Sequence, residues 1–481
     1  MKPFGRKPSE GRVAVVVHAV AALAVLLGLF MTVHNRDVNS EAFERDYVET
    51  LVFQDRWNDL SDAWRSDGWW ANGGLWLLNS DRNFNRWAQK GMLEHWSVEG
   101  TPDLDRRYFY RSNSAMSLLP LHMLRQSKLL MTGSPGGRWL LVLHNQLIMA
   151  GLVLLLGLAA TRSTRAMGLS MTHALVLGLG VQLVLQTHPL FLMSYFRLYF
   201  EHLFLLFGAC VLLGATMRGQ RPGDVLRFIG VLGMVLADLP LALLTLVAWS
   251  LLNLIGSRTW FRQERWLRCV LLPAGIGLGV IVLQYVIVAL FQSDASFLGS
   301  SLSFRTGLDG DATRFGSMWE GIFRFMRDGV FYGPHRAAAG ATPVFWIVGF
   351  LAVAAVLVAG ACRDRFGPMA RLVALAATLC FPFIVLFSNA MYIHPFTYPL
   401  LLLPALVLAL LAGVPAVLAT ASRVPWPFVL CAAVLAASQS MANLRQFAVA
   451  FPIDTTSMSV QFPVLTSGDL LTLEPPSEPA P

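Results

Sequence analysis

Long apolar runs recur along the 481-residue chain, and polar turns separate them. A helix needs about 20 apolar residues to cross the roughly 30 Å hydrocarbon core of a bilayer. Backbone groups in lipid must find partners within the protein, which predicts helices and not strands. The predicted spans are 12–33, 138–160, 171–189, 196–217, 267–290, 343–361, 370–388, 397–417 and 426–443. The predicted fold class is therefore an all-α polytopic membrane protein.

Residues 226–256 are apolar but too few for two full crossings. Arg227 lies at their start and Arg258 follows them, which favours both ends on the same side of the membrane. Pro240 removes a backbone donor, so the middle is predicted to be the bend of a hairpin of two short helices. Asp238 in this bend is costly in lipid unless protein or water shields it. The alternative is one long helix with a kink at Pro240. With the hairpin counted separately, we expect about 9–11 transmembrane helices.

A polar insert at 34–137 separates the first span from the second. A connection between spans needs only a few residues, so this length predicts a folded, outward-facing site for a polar ligand at the bilayer surface. The insert holds seven of the 14 tryptophans, Trp57, Trp64, Trp69, Trp70, Trp76, Trp87 and Trp96. The predicted organisation is a cytoplasmic N-terminus with the first helix (1–33), a large periplasmic loop (34–137), membrane helices (138–291), a second periplasmic loop (292–342), C-terminal helices (343–443) and a periplasmic tail (444–481).

Composition and charge support a membrane protein. Hydrophobic residues make up 55% of the chain and charged residues 14%. The net charge of +8 does not indicate nucleic-acid binding, because much of it lies in short loops where arginine sets orientation. Arginines such as Arg162 and Arg363 fall on one face if the N-terminus is cytoplasmic. The five cysteines lie in or beside apolar spans, which predicts no disulfide framework or metal cluster.

Acidic, basic and aromatic residues occur together in the insert. Transfer of a sugar from a phosphate donor uses a carboxylate base, cations for the phosphate and aromatic faces for the sugar. Asp46, Asp67, Tyr110 and Arg111 supply these groups. Asp67 is followed by Gly68 in an aromatic turn where ligand and backbone can approach closely. The alternative interpretation is that Asp67 only caps a turn or a helix.

A second cluster follows the third span. Arg197 and Glu201 are spaced i, i+4 near the outward end of the next helix, between His188 and His202. Charged groups at such a position usually face a cavity, so Arg197 is a candidate ligand of a lipid phosphate and Glu201 its partner. A purely structural ion pair is the alternative. His394, in another outward turn, is a candidate ligand or a plain loop histidine.

Polar residues also lie within the second span, at His144, Asn145 and Gln146. In membranes such side chains hydrogen-bond to neighbouring helices, and we predict that role here. The chain has no Gly-rich phosphate loop and no Cys/His metal spacing, so no cofactor is predicted. A divalent metal requirement stays open.

The order of parts resembles the GT-C class of integral-membrane glycosyltransferases. The likeness lies in one anchor, a large acidic and aromatic loop, an outward corner at 194–201, a short helical pair at 230–244 and a Pro/Leu-rich helix at 394–404. The resemblance implies that a carboxylate of the first loop, Asp46 or Asp67, acts as base. It also implies that Arg111 and Arg197 contact the donor phosphate. The class often carries a basic residue where Asp238 stands, which is a departure.

We therefore expect an inverting glycosyltransferase of a bacterial inner membrane, with its N-terminus in the cytoplasm. The donor would be a polyprenyl-phosphate-linked sugar, and the acceptor a glycan, a lipid or a protein. The alternatives are a glycan polymerase or ligase, a transporter or flippase of lipid-linked saccharides, and a non-catalytic assembly partner. A transporter would need a polar path through its spans, whereas the candidate residues here concentrate at one face.

Overall fold

The computed structural model describes residues 8–34, 135–188, 191–192, 200–217, 219–255, 265–291, 342–379 and 397–450. All regular secondary structure in these residues is helical. The helices are α1 (Pro8–His34), α2 (Pro135–Ala166), α3 (Met171–Thr187), α4 (Phe200–Thr216), α5 (Arg221–Ala237), α6 (Leu239–Ile255), α7 (Leu272–Phe291, preceded by a π-helical turn, Leu267–Leu271), α8 (Thr342–Cys362), α9 (Gly367–Ala377), α10 (Thr397–Val407), α11 (Val414–Ala421) and α12 (Trp426–Ala450). A π-helical turn, Leu408–Gly413, joins α10 to α11.

Three helical stretches of the described residues are long and apolar enough to cross a membrane, namely Gln146–Ala166, Leu400–Ala421 and Trp426–Arg445. Other apolar helices, such as Met171–Thr187, have 10–17 residues within the stretches that the structure describes. The all-helical class is therefore confirmed for these residues, and the count of about 9–11 crossings stays a prediction. Large apolar side chains such as Leu351 point away from the protein, which is compatible with contact to lipid.

Several helices extend beyond the spans that hydropathy predicts. Helix α2 continues to Ala166 and α12 to Ala450, so the predicted boundaries at 160 and 443 are too early. Hydropathy detects only the apolar part of a helix, whereas backbone hydrogen bonding continues into its polar ends.

The predicted span at 370–388 is not one described helix, because α9 ends at Ala377. The carbonyl of Thr378 accepts a hydrogen bond from the Thr245 hydroxyl of α6 at 3.3 Å. The indole Nε1 of Trp249, also on α6, donates to the Leu375 carbonyl at 3.3 Å. Pro382 stands four residues after Thr378 and lacks the N–H that a continuing helix would donate to it. Side chains of α6 thus donate to carbonyls at the end of α9, where the Thr378 hydroxyl also donates to the Leu375 carbonyl at 2.8 Å.

Glycines bring neighbouring helices into close contact. A Cβ at Gly178 of α3 would lie 2.7 Å from the Gly157 carbonyl of α2, and one at Gly230 of α5 would lie 2.6 Å from the Phe207 carbonyl of α4. A Cβ at Gly151 of α2 would touch the Leu206 side chain of α4 at 3.3 Å. Small residues at helix interfaces are typical of membrane proteins, where packing replaces the hydrophobic effect between helices.

Turns between helices meet at one end of the bundle, which we call the basic end. It comprises the turns 166–171, 216–221, 362–367 and 421–426. Arg365 Nε donates to the Met167 carbonyl at 3.2 Å, and Arg162 donates to Gln220 Oε1 at 3.3 Å. The loop arginines Arg162 and Arg365, which the sequence assigns to one face, therefore lie at one end of the structure. The cytoplasmic location of this end stays a prediction.

Asp224 joins two arginines at the basic end. Its carboxylate accepts hydrogen bonds from Arg227 and Arg265. The Arg227 side chain is only 2% exposed, and that of Asp224 is 17% exposed. Burial by itself would raise the pKa of Asp224, but the hydrogen bonds and charges of the two arginines outweigh it and hold this pKa below its ordinary value.

We expect Asp224→Asn to lower the free energy of unfolding at neutral pH by roughly 1–3 kcal/mol, because Arg227 loses a charged partner. The lowered pKa means that the carboxylate stabilises the fold above its unfolded pKa of about 4, and that this contribution is lost as the pH falls through the folded-state pKa. The two proteins should therefore converge in thermal stability at acidic pH. Melting curves in one detergent at neutral and acidic pH measure this, and a difference that does not change with pH contradicts it.

The glycine contact between α4 and α5 gives a second stability prediction. Gly230→Ala would place a methyl group against the Phe207 backbone, and overpacking of this kind costs about 1–3 kcal/mol. The matched control is Gly279→Ala, because a Cβ at this helical glycine meets nothing within 4 Å. We expect a lower melting temperature for the first variant only. Equal melting temperatures would show that α4 and α5 are not in this contact.

Candidate functional site

Most candidate residues from the sequence lie outside the described residues. These are Asp46, Asp67, Tyr110, Arg111, Arg197 and His394. Glu201 is in the first turn of α4, where the structure describes the backbone and not this side chain. The described residues therefore leave the predicted grouping of these side chains untested, and the grouping stays a prediction.

The bundle end opposite to the basic end contains a concentration of buried polar side chains. We call it the polar layer, and it consists of Gln146, Gln186, His188, His202, Asp238, Ser440 and Asn443, each less than 9% exposed. They come from α2, α3, α4, the junction of α5 and α6, and α12. The glycine contacts place these helices in register and so determine which residues share a level.

Glycine contacts determine how α2, α3 and α4 are aligned along the bundle axis. Helices α2 and α3 run antiparallel, since they are joined by a short turn at the basic end, and Gly178 lies against Gly157. With a rise of about 1.5 Å per residue, His188 and Gln146 come to nearly the same level. Helix α4 runs parallel to α2 with Leu206 at Gly151, so His202, one turn before Leu206, also reaches the level of Gln146.

Similar contacts align α5 and α12 with these helices. Gly230 and Gly233 of α5 both face Phe207, which places Asp238 near the level of His202 in these antiparallel helices. A Cβ at Gly180 of α3 would lie 3.3 Å from the Ala436 Cβ of α12, and His173 contacts Trp426 with ring centroids 4.4 Å apart. These two helices therefore run parallel. The last buried turn of α12, with Ser440 and Asn443, consequently reaches the level of Gln186.

Asp238 breaks the chain into two helices. Its backbone is extended, with φ −148° and ψ 98°, so it ends α5 and precedes α6. One carboxylate oxygen accepts the Leu241 N–H at 3.0 Å, and the Asp238 carbonyl accepts the Ala242 N–H at 2.9 Å. Pro240 occupies the second position of α6, where a missing N–H costs little.

The described backbone is thus two helices of 17 residues each, and not one kinked helix. Helix α5 rises from the basic end to Asp238, and α6 then leads to the contacts of Thr245 and Trp249 with α9. The chain therefore changes direction at Asp238. The membrane side of the two helix ends stays a prediction.

Histidines mark the ends of α3 and α4. His188 follows α3 with an extended backbone, φ −64° and ψ 135°, and its carbonyl accepts the Leu192 N–H at 2.9 Å. His202 lies in the first turn of α4 and is fully buried. Neither side chain is without a partner. The sequence singles out both histidines, and the structure adds that they share the level of Asp238.

Four polar-layer side chains have buried atoms without a hydrogen bond. These atoms are Gln146 Nε2, Gln186 Oε1, Ser440 Oγ and Asn443 Nδ2. The other side-chain atom of Asn443, Oδ1, accepts a bond from Gln439 Nε2 at 2.9 Å. A buried polar atom left unpaired costs about 1–3 kcal/mol, so each requires an explanation. For the amide nitrogen of Gln146, the predicted interhelical hydrogen bond is therefore wrong.

A different buried cluster, closer to the basic end, is fully bonded. His18 Nδ1 lies 2.5 Å from Gln182 Oε1, and its Nε2 lies 2.9 Å from Thr161 Oγ1. Gln182 Nε2 also donates to the His18 carbonyl at 3.0 Å. These bonds fasten α1 to α2 and α3. The sequence interpretation missed this cluster, although a histidine within an apolar span is a signal for an interhelical partner.

Among the described residues, the two ends of the bundle differ in charge. Arginines concentrate at the basic end, whereas the described polar layer contains amides, a hydroxyl, two histidines and one carboxylate, Asp238. Within the described ranges no group of three His, Cys, Asp or Glu side chains is arranged to hold a metal ion. The polar layer is therefore suited to hydrogen bonding with a polar ligand. Comparisons with protein-family models, with curated proteins and with solved structures found no match for this chain.

Asp238→Ala tests the break at the polar layer. Loss of a capping carboxylate typically costs about 1 kcal/mol, with a range of roughly 0.5–2 kcal/mol, so the melting temperature should fall. Asp238→Asn is the matched control, because its amide oxygen can accept the Leu241 N–H in the same way. Thermal unfolding of the two variants in one detergent measures the difference. Equal falls in melting temperature in both variants would show that the fold requires the negative charge of Asp238 and not its capping hydrogen bond.

Proposed function

We propose that the chain is a membrane glycosyltransferase that transfers a sugar from a polyprenyl-phosphate donor to a glycan, lipid or protein acceptor. The observation that carries this proposal is the polar layer, which concentrates buried hydrogen-bonding groups at one end of an apolar bundle. Helices α2 and α4 begin at this end. They directly follow the segments 35–134 and 193–199, which contain most of the candidate residues.

In this proposal, Asp46 or Asp67 removes the proton from the acceptor hydroxyl. A carboxylate can do this if it lies within hydrogen-bond reach of that hydroxyl. Arg111 and Arg197 hold the phosphate of the donor, which carries the charge that develops as the sugar leaves. Tyr110 offers a ring face to the sugar. Breaking the bond between the sugar and the phosphate oxygen while the acceptor oxygen attacks gives a glycoside and a polyprenyl phosphate.

Glu201 and His394 complete the proposed site. Glu201 is adjacent in sequence to His202 of the polar layer, within the first turn of α4. In this position it can orient Arg197, four residues earlier on the same helical face if the helix extends back to it. His394 belongs to the segment that precedes α10 and is assigned to the same outward surface. These assignments come from residue chemistry and chain order.

A transporter or flippase of lipid-linked saccharides is the main competing function. Its best support is the cluster of His18, Thr161 and Gln182 inside the bundle, which places polar groups between the two ends. However, both ring nitrogens of His18 are bonded, and a Cβ at Gly157 would lie 2.8 Å from this ring. A cluster so closely packed is suited to joining helices. A glycan polymerase or ligase would use the same surface chemistry as the proposed transferase.

The proposal places the protein in a bacterial inner membrane, with the basic end in the cytoplasm and the polar layer towards the periplasm. Basic turns on the cytoplasmic side are the usual arrangement. Its partners are then the lipid-linked donor, the acceptor and the bilayer, and nucleic acid is not among them. No cofactor is required by the proposed mechanism, and a chelator added to the assay below tests for a divalent metal.

Asp46→Asn and Asp67→Asn, made separately, test the catalytic assignment. We expect at least one of them to lower the rate of transfer from a radiolabelled polyprenyl-phosphate sugar by about 10²–10⁴-fold, because general-base catalysis contributes that much. Asp59→Asn is the matched control, since Asp59 lies in the same insert and is not a candidate for the base. The assay uses the full chain in proteoliposomes with a panel of acceptors. Full activity in both test variants would exclude these two carboxylates as the base.

A further inference from the structure

We propose that Gln146, Gln186, Ser440 and Asn443 form a binding subsite for a neutral, hydroxyl-rich group, namely a saccharide ring. That the saccharide is part of a substrate rests on the proposed function. That a saccharide binds at this place rests on the polar layer alone. None of these four residues is a candidate from the sequence for ligand binding.

Burial and missing partners are the first evidence. Gln146 is 1%, Gln186 2%, Asn443 2% and Ser440 4% exposed, so water has little access to any of them. Each has a side-chain atom that makes no hydrogen bond. Native proteins leave few such atoms, and a bound group often explains them. Four occur within the polar layer, on α2, α3 and α12, whereas those of Ser163, His173 and Thr420 lie near the basic end.

The register of the helices is the second evidence. Ser440 and Asn443 lie on the side of α12 that faces α3, because they continue the stripe of Ala436 at i+4 and i+7. Gln186 belongs to α3, and Gln146 lies on the neighbouring α2. From the glycine contacts, the four residues fall within about two helical turns along the bundle axis, or roughly 10 Å.

The chemistry of the unpaired atoms indicates the class of ligand. The two amide nitrogens donate, the amide oxygen of Gln186 accepts, and the Ser440 hydroxyl does both. A sugar hydroxyl also donates and accepts, so a ring with several hydroxyls can bond to this mixed set. The four side chains carry no charge. A phosphate buried beside them would lack the cation that such a group normally needs.

A single buried water does not account for the set. Hydrogen bonds require heavy-atom distances of about 3 Å, and one water typically bonds to about three groups. Four unpaired atoms on three helices are more groups than one buried water typically bonds to. A larger ligand, or several separate waters, is required, and binding measurements distinguish these two cases.

The test measures binding of non-reactive sugars to the full chain in nanodiscs. The probes are methyl glycosides of glucose, mannose, galactose and arabinose, with glucose 1-phosphate as the charged comparison and glycerol as the solvent control. We expect at least one methyl glycoside to raise the melting temperature in a saturable manner, and glucose 1-phosphate to do so more weakly. Gln186→Met and Ser440→Ala should each weaken this binding by about 5- to 10-fold, the effect of one neutral hydrogen bond.

Ser163→Ala is the matched control for Ser440→Ala. Ser163 is 1% exposed and its hydroxyl also makes no hydrogen bond, but it lies near the basic end. The same loss of a hydroxyl is therefore made at a buried site away from the polar layer, and glycoside binding should not change. Without ligand, Gln186→Met and Ser440→Ala should melt at or above the wild-type temperature, since each removes an unpaired group.

Two outcomes would overturn the inference. One is that no methyl glycoside binds to the wild-type chain, which would leave separate waters as the explanation. The other is that Gln186→Met, Ser440→Ala and Ser163→Ala all bind the glycoside as the wild type does. Failure of the proposed function is a separate result, because saccharide binding with no transfer from any donor would refute the transferase and leave the subsite intact. Transfer without glycoside binding would do the reverse.

Discussion

Close packing of helices at glycines is the interaction on which the rest of the structure depends. A Cβ at Gly178 or Gly230 would lie closer than 3 Å to a backbone carbonyl of the neighbouring helix, and one at Gly151 would touch Leu206 at 3.3 Å. These contacts set the vertical register of α2, α3, α4 and α5. Between apolar helices in a membrane, packing of this kind replaces the hydrophobic effect as the source of association. The level of every buried polar group follows from that register.

Buried polar groups in this bundle fall into two kinds, which differ in how completely they are bonded. The cluster around His18 has both ring nitrogens engaged and joins α1 to its neighbours. In the polar layer, by contrast, atoms of Gln146, Gln186, Ser440 and Asn443 have no hydrogen bond. A bonded cluster stabilises a fold, whereas unpaired atoms at one level are costly unless something binds there. This difference is what makes the polar layer the stronger candidate for a substrate.

At both helix breaks, polar groups in apolar surroundings find hydrogen-bond partners within the protein. At Asp238 one residue ends α5 and caps α6 through its own carboxylate. At the end of α9 the carbonyls of Leu375 and Thr378 receive hydrogen bonds from Trp249 and Thr245 of α6. Helix α6 thus begins at one break and supports the other. The chain reverses at the level of the polar layer because the Asp238 carboxylate accepts an N–H that a continuous helix would bond to a backbone carbonyl.

The sequence by itself predicted the helical class and the grouping of loop arginines at one end, and it favoured a break around Asp238 and Pro240 over one long kinked helix. Each of these follows from local chemistry, namely hydropathy, a missing N–H, and charge that is costly in lipid. The predicted span at 370–388 is longer than α9, which ends at Ala377, because the apolar sequence continues through Phe381, Pro382 and Phe383. Only the tertiary structure decided that His202, Asp238 and Asn443 share a level, and that Gln182 bonds to His18. Those residues are far apart in the chain, and their register depends on which glycine faces which helix, a contact that no local pattern encodes.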